Sequence, residues 1–367
     1  VSTSSTSASV PETLLDERFR LDAVVARGGM GEIWRATDLR TSSPVAVKRM
    51  LAGQPADAEE HDRARLLREI QALQGLEHPN LVRCLGWGSD ADHRPYLVLE
   101  WLRGEDLARR QRRQPLSLDE AALVVGQALD GLAAAHRAGV IHRDIKPSNL
   151  FLSAGGAVKV LDFGLARLAD RLTRITRSGC VTGTLYYLAP EQVQGGMPVD
   201  HRADIYAAGV VLYELVTGRL PFEAEEPVAV MLKILSESPD LPGMLREDLP
   251  DWLEHVILRA MMRAPDARFQ TAEAMRDALS SRRDWTAQTV VSQVRPGLEP
   301  SRPGAAAVEQ RLVCLLCAAP AGTASRLSAE VVRPAVEQLG GASYALVGGQ
   351  AVGIFGLSRT TGEEALA

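Results

Sequence analysis

VIHRDIKPSNLFLSAGGAVKVLDFG, running from Val140 to Gly164, is the stretch whose reading decides the fold. It carries two carboxylates, an amide and a lysine at a spacing suited to a metal–phosphate site: Asp144, Asp162, Asn149 and Lys146. His142-Arg143-Asp144 opens a loop, and Asn149 begins the apolar run LFL. The turn Gly155-Gly156 then leads to a second β-like run, VKVL, which ends at Asp162 beside Phe163 and Gly164. Two short strands joined by a tight turn would bring Asn149 near Asp162. One carboxylate and one amide oxygen leave room for substrate phosphates around a Mg²⁺ ion. Asp144 then remains to orient a hydroxyl nucleophile.

HRDIKPSN, DFG and the later APE resemble the catalytic, metal-binding and activation-segment motifs of the eukaryotic-like protein kinase superfamily, and GGMGEIWRA resembles its bacterial serine/threonine members. The resemblance implies an α+β, bilobal fold with a β-rich N-lobe and a helical C-lobe, spanning residues 14–283. It also implies an ATP- and Mg²⁺-dependent phosphotransferase acting on protein hydroxyls. Asp144 is then the catalytic base or hydroxyl-orienting group, Lys146 steadies charge on the transferring phosphoryl, and Asn149 and Asp162 hold metal. Lys146 with Pro147 is similar to the serine/threonine branch.

Composition agrees with such an enzyme. The chain has 367 residues with 46% apolar content, enough for a sizeable core. Its 41 basic and 46 acidic residues give no electrostatic case for nucleic acid or an anionic membrane. No run approaches the length of a membrane span, and no charged-then-apolar leader precedes the first helix. Cys84, Cys180, Cys314 and Cys317 are too few and scattered for a disulfide framework, which points to a reducing cytoplasm.

Residues 1–13, which include VSTSSTSASV, are small and polar and read as a disordered tail. FRLDAVV, EIWRATD and SPVAVK alternate like strands, and the first two are joined by Arg27-Gly28-Gly29-Met30-Gly31. A glycine cluster between strands is commonly just a hairpin. The resemblance makes it a phosphate-covering loop, where backbone free of Cβ can approach a triphosphate. Ala26 stands where the family normally opens this loop with glycine. Lys48 closes VAVK and, by resemblance, pairs the α- and β-phosphates. RARLLREIQALQGL reads as an amphipathic helix, and its Glu69 matches the glutamate that holds that lysine. A solvated helix charge is the alternative for Glu69.

HPNLVRCLGW and PYLVLEWLRG read as two further strands. Their end, Glu100-Trp101-Leu102, matches the hinge that bonds adenine through backbone groups, with Leu99 in the gatekeeper place. Ile33, Ala46 and Phe151 would sandwich the base. Core packing accounts for these apolar residues equally well, and the two are compatible. Arg109-Arg110-Gln111-Arg112-Arg113 reads as a helix end with solvated arginines, with attraction of an acidic substrate as the other possibility. LDEAALVVGQALDGLAAAHRAG is a long amphipathic helix stopped at Gly139.

Between Asp162 and Glu191, Thr173, Thr176, Ser178 and Thr182 alternate with arginines and are candidates for autophosphorylation near Arg143. Thr184 matches the residue that contacts the catalytic Asp and Lys. Asp204 matches a brace of the catalytic-loop backbone, and Arg268 a buried partner of Glu191. Helical patterns follow, among them RADIYAAGVVLYELVTGRLPF and DWLEHVILRAMMRAPDARF.

Residues 284–308 read as a proline-containing linker. Residues 309–367 read as a small partial α/β unit, strand–helix–hairpin, which breaks off at Ala367 within what looks like a domain. Its order faintly resembles the start of a nucleotide-cyclase-like domain, but no metal-binding aspartate follows the first strand. Cys314 and Cys317 form a C-x-x-C inside an apolar strand, which disfavours zinc. The partners expected are protein substrates and, for trans-autophosphorylation, a second copy. The rival readings are a pseudokinase scaffold and a sensor module for an output domain beyond Ala367. A scaffold of that kind typically lacks the lysine or one of the aspartates, whereas Lys48, Asp144, Asn149 and Asp162 are all present.

Overall fold

The computed structural model describes residues 14–28, 31–50, 75–91, 94–163, 183–194 and 198–282, together with three strands beyond residue 313. These residues form two compact units, Val1–Gln114 with Gln127–His142 and Pro147–Ala166, and Pro115–Gly126 with Arg143–Lys146 and Arg167–Ala367.

The first unit is built on a six-stranded sheet in the order β1-β2-β3-β4-β6-β5. Its strands are β1 (Leu14–Leu15), β2 (Phe19–Gly28), β3 (Gly31–Asp38), β4 (Ser43–Met50), β5 (Cys84–Ser89) and β6 (Pro95–Glu100). Alternation explains why one face closes: Val45 and Val47 bury with Phe19, Leu21, Ala36, Tyr96 and Val98 in one cluster. The residues between them, Ala46 and Lys48, therefore lie on the opposite face. Arg18 and Asp38 lock the β2–β3 end, where the guanidinium donates to both carboxylate oxygens at 3.0 and 2.7 Å.

A second, three-stranded sheet begins after β6: β7 (Gly104–Asp106), β8 (Leu150–Ser153) and β9 (Val158–Val160), in sequence order and antiparallel. Gly104 has φ +146°, and a Cβ there would sit 2.0 Å from the Leu152 carbonyl oxygen, so only glycine lets β7 lie this close to β8. Helix α1 (Leu107–Arg113) starts at Asp106, whose carboxylate accepts from the Arg109 amide at 2.8 Å. Helix α2 (Leu118–Arg137) ends before Gly139, which takes φ +76° as a left-handed stop.

One expected strand differs. HPNLVRCLGW becomes a strand only from Cys84, while Leu81 makes a single parallel bridge to Val160. Pro79 has no amide to give to a ladder. The Asn80 side-chain amide is taken by the Val158 carbonyl at 2.9 Å and by Gln127 Oε1 at 3.1 Å. The segment is thus tied to β9, and pairing with β6 begins later.

The second unit is mainly helical: α3 (Pro190–Val193), α4 (Arg202–Thr217), α5 (Pro227–Ser236), α6 (Pro242–Leu245), α7 (Asp251–Ala260) and α8 (Ala272–Ser281). Helix α4 is apolar nearly all round and buried from Ala203 to Tyr213, as a central core helix should be. A Cβ on Gly209 would come 2.8 Å from the Ala260 Cβ, so glycine permits the close α4–α7 crossing. Beyond residue 313 the strands β10 (Cys314–Ala318), β11 (Ala342–Leu346) and β12 (Gln350–Phe355) form an antiparallel sheet in the order β10-β12-β11. The first strand and hairpin expected there are present. The expected tail 1–13, the helix around Glu69, the linker 284–308 and the helix before β11 lie outside the described residues. No helix among the described residues is long and apolar enough to cross a membrane.

Candidate active site

In the first unit the antiparallel register decides which residues meet. Ile33 pairs with Lys48, Arg35 with Ala46, Lys48 with Leu97, and Ala46 with Leu99. Paired residues share a face. Ala26, Ile33, Ala46, Lys48 and Leu99 thus line the sheet face opposite its closed core, Ala26 through its pairing with Ile33. The glycine loop is a hairpin in which Gly28 pairs with Gly31, and Arg27 makes a 3.1 Å ion pair with Glu32. Gly29 and Met30, its tip, lie outside the described residues.

Lys48 Nζ lies 2.8 Å from the Asp162 carboxylate. Asp162 is placed by the β8–β9 hairpin: the Leu161 amide donates to the Asn149 carbonyl at 2.8 Å, so the backbones just before Asp162 and at Asn149 are held side by side. Asp162 itself has φ +51°, a left-handed conformation costly for a residue with a Cβ. Such strain collects at functional positions, where surrounding contacts over-determine the backbone. Asn149 is buried, at 6% exposure. Phe151, half-buried on β8, stands opposite Asp106 and Lys159 in register.

Glu100 closes β6 and is held from two sides. Its carboxylate accepts from the Arg83 amide at 2.9 Å and from Lys159 Nζ at 2.6 Å, and the same Nζ donates to the Leu81 carbonyl at 3.1 Å. The backbone from Glu100 to Leu102 is thereby fixed at its first residue. His142 is fully buried, its Nε2 2.7 Å from the Leu161 carbonyl and its ring 4.7 Å from that of Phe163.

In the second unit Asp144, Lys146 and Thr184 come together. Lys146 Nζ donates to both Asp144 oxygens at 3.2 and 3.1 Å and to Thr184 Oγ1 at 2.7 Å. Asp144 is buried while Lys146 keeps some exposure. The loop is braced from behind: the Arg143 amide donates to Asp204 Oδ1 at 2.7 Å, and Gln192 Nε2 to the Arg143 carbonyl at 3.2 Å. Arg143 takes φ +63°, the second strained residue beside a motif carboxylate.

The segment after Thr184 is anchored through one half-buried and one buried pair. Tyr187 donates to Glu214 at 2.6 Å; burial, then the Glu214 charge, pushes the phenol's pKa up, and burial pushes the Glu214 carboxyl up. Glu191 accepts both Arg268 Nη1 and Nη2 at 2.7 Å.

Glu69, Thr173, Thr176, Ser178 and Thr182 lie outside the described residues. Sequence reasoning passed over Lys159, Gln192, Glu214 and the packing of His142. Of these only His142 carried a signal, as the first residue of its tripeptide.

Residues 19–279 match the protein-family model described as "Protein kinase domain". Among curated proteins, the chain is 39% identical over 310 residues to "Probable serine/threonine-protein kinase CE0033" of Corynebacterium efficiens, covering 82% of this chain and 46% of that one. It is 38% identical over 274 residues to "Serine/threonine-protein kinase pkn3" of Myxococcus xanthus, covering 72% and 50%. It is 39% identical over 267 residues to "Serine/threonine-protein kinase PknB" of Mycobacterium tuberculosis, covering 71% and 42%. The chain thus spans half or less of the length of these relatives. The crystal structure of the Mycobacterium tuberculosis PknI kinase domain superimposes with a TM-score of 0.60 at 24% identity, covering 75% of this chain and all of that one, a likeness of fold. The family match ends at residue 279, so nothing in it supports the likeness of the C-terminal sheet to a cyclase domain.

Proposed function

The chain belongs to the protein kinase family, and from that membership we propose that it transfers the γ-phosphoryl group of ATP to serine and threonine hydroxyls of proteins. The observation that carries this reading is the Asp144–Lys146–Thr184 cluster. A buried carboxylate held by a lysine is an acceptor aimed for a hydroxyl proton, with a positive charge beside it for the transferring group.

Asp144 orients the acceptor hydroxyl and takes its proton. Lys146 steadies the phosphoryl oxygens and fixes Asp144 through the shared hydrogen bonds, while Thr184 holds the lysine in place. Asp204 and Gln192 keep the loop backbone in the conformation that Arg143 adopts only under strain. Little covalent chemistry is asked of the protein, so positioning and charge do the work.

For the nucleotide, Ile33, Ala46, Leu99 and Phe151 take the adenine, and the backbones of Glu100 and Leu102 bond its edge. Lys48 binds the α- and β-phosphates, and residues 26–31 cover the triphosphate. Asn149 and Asp162 offer oxygen donors only, and among the described residues no group of three or more His, Cys, Asp or Glu could hold an ion by itself. That donor set fits Mg²⁺, which takes few protein oxygens and completes its shell with phosphate and water. Bound Mg²⁺ would neutralise charge on the phosphates. The same reading makes Thr173, Thr176, Ser178 and Thr182 autophosphorylation sites reached in a transient dimer. It sets the catalytic domain at 14–283, followed by a linker and a separate unit from 309, in the cytoplasm.

Asp144→Asn and Lys48→Met test it, by ATP consumption and by mass spectrometry of the 170–184 peptide. Each should lower phosphotransfer by about 10²–10⁴-fold with unchanged melting behaviour. Undiminished turnover in Asp144→Asn overturns the assignment.

A further inference from the structure

Away from these clusters, the first unit holds an open surface cleft of about 410 Å³ between α1 and the paired strands β7 and β8. Its walls include Arg109, Arg110 and Arg113 on the helix side and Gly104, Glu105 and Ser153 on the strand side. Two features make it more than a row of surface arginines. The close approach that Gly104 alone permits sets the strand wall, where any Cβ would meet the Leu152 carbonyl. And the arginines are already oriented: Arg110 donates to the Gln114 carbonyl, and Arg113 pairs with Glu105 at 2.5 Å. The Arg109 side chain is exposed and makes no hydrogen bond or ion pair among the described residues.

Three guanidinium groups against the single carboxylate of Glu105 leave the lining with two net positive charges, in a chain whose net charge is −5. A phosphorylated serine or threonine carries a charge of about −1.5 to −2 at pH 7 and three acceptor oxygens. Arginine forks match those oxygens in pairs, as lysine cannot. The cleft is open to solvent, so a phosphorylated side chain still attached to its protein segment can reach it. We propose that this cleft is a docking site for a phosphoserine or phosphothreonine side chain on a protein segment. It thus receives a product of the proposed reaction, and it rests on that reading only for the source of the ligand, because binding itself needs no phosphotransfer.

The test is fluorescence anisotropy of the full chain, without nucleotide, against one labelled peptide carrying phosphoserine, serine or glutamate at its centre. The phosphoserine peptide should bind at least tenfold tighter than the other two, and more weakly as salt rises. Arg109→Glu should remove the preference, whereas Arg276→Ala on α8 should keep it. Arg109→Glu should still melt and phosphorylate a generic substrate like the parent. Equal binding of the glutamate peptide would make this an acidic-segment dock, and equal binding of inorganic phosphate a plain anion pocket. Retention of the preference in Arg109→Glu would move the site elsewhere; each of these three results overturns the proposal. An inactive enzyme that still shows the Arg109-dependent preference refutes the kinase reading and keeps this one, and an active enzyme without it does the reverse.

Discussion

Glu191→Gln should unfold this protein at a markedly lower temperature. The Arg268 side chain is 0% exposed and that of Glu191 5%, and the two share paired 2.7 Å hydrogen bonds. Arg268 also donates to the carbonyls of Met262 at 2.7 Å and of Arg202 and Arg263 at 3.0 Å, and stacks 4.9 Å from the Tyr206 ring. Glutamine keeps the size of the side chain, but it removes the charge and turns an NH₂ toward a group that has only donors. Arg268 is then buried with its charge uncompensated, which costs about 3–5 kcal/mol. At about 2–4 °C per kcal/mol for a domain of 150–250 residues, melting should fall by roughly 6–20 °C. Arg268→Met should cost a similar amount by stranding Glu191. The double change Glu191→Leu with Arg268→Met should recover part of the loss, but not all, because the three carbonyls lose their donor. Circular-dichroism melts of the four proteins measure this. A fall smaller than about 2 °C in Glu191→Gln would show that water reaches the pair, and the reasoning from burial would be refuted.

Three further outcomes are expected. Thr184→Val, nearly isosteric, removes the 2.7 Å acceptor of Lys146 and should lower kcat about 10- to 100-fold with little change in KM or melting temperature, as steady-state kinetics will show. Gly104→Ala forces a Cβ toward the Leu152 carbonyl at φ +146° and should destabilise by about 1–3 kcal/mol or more in urea titrations; an unchanged midpoint would contradict the close β7–β8 approach. Glu214 holds its proton more tightly folded than unfolded, because burial raises its pKa, so its contribution is complete below the ordinary value of 4.5 and is lost as pH rises above it. Glu214→Gln stays neutral and still accepts from Tyr187, so its melting temperature relative to the parent should increase from pH 5 to pH 8.

Much was legible in the sequence because it is local. Asp144, Lys146 and Asn149 share one short loop; Asp162 follows from a hairpin with a glycine turn; α2 ends where Gly139 takes φ +76°. Period-two alternation already separated Val45 and Val47 from Ala46 and Lys48, so the buried and open faces of β4 could be read without coordinates. Family resemblance added pairings such as Asp204 with the catalytic-loop backbone and Arg268 with Glu191, which no spacing implies.

Tertiary structure alone decided what depends on register between distant strands and on side chains meeting across folded elements. Lys159 reaches Glu100 across 59 positions because β9 is bridged to Leu81, a connection that no local pattern encodes. The same bridge delays β5 to Cys84, since the Asn80 amide finds better partners outside the strand it seemed to begin. Tyr187 donates to Glu214 only because the Leu185–Tyr187 turn lies against α4, far away in sequence. The arginines at 109–113 read as the solvated end of a helix, which is what their sequence describes. That these arginines line an open cleft was set by β8, which is distant in sequence and against which Gly104, just before the helix, can lie only without a side chain. Local chemistry is written in neighbouring residues; concavity and charge pairing arise when long-range hydrophobic burial brings separate neighbourhoods together.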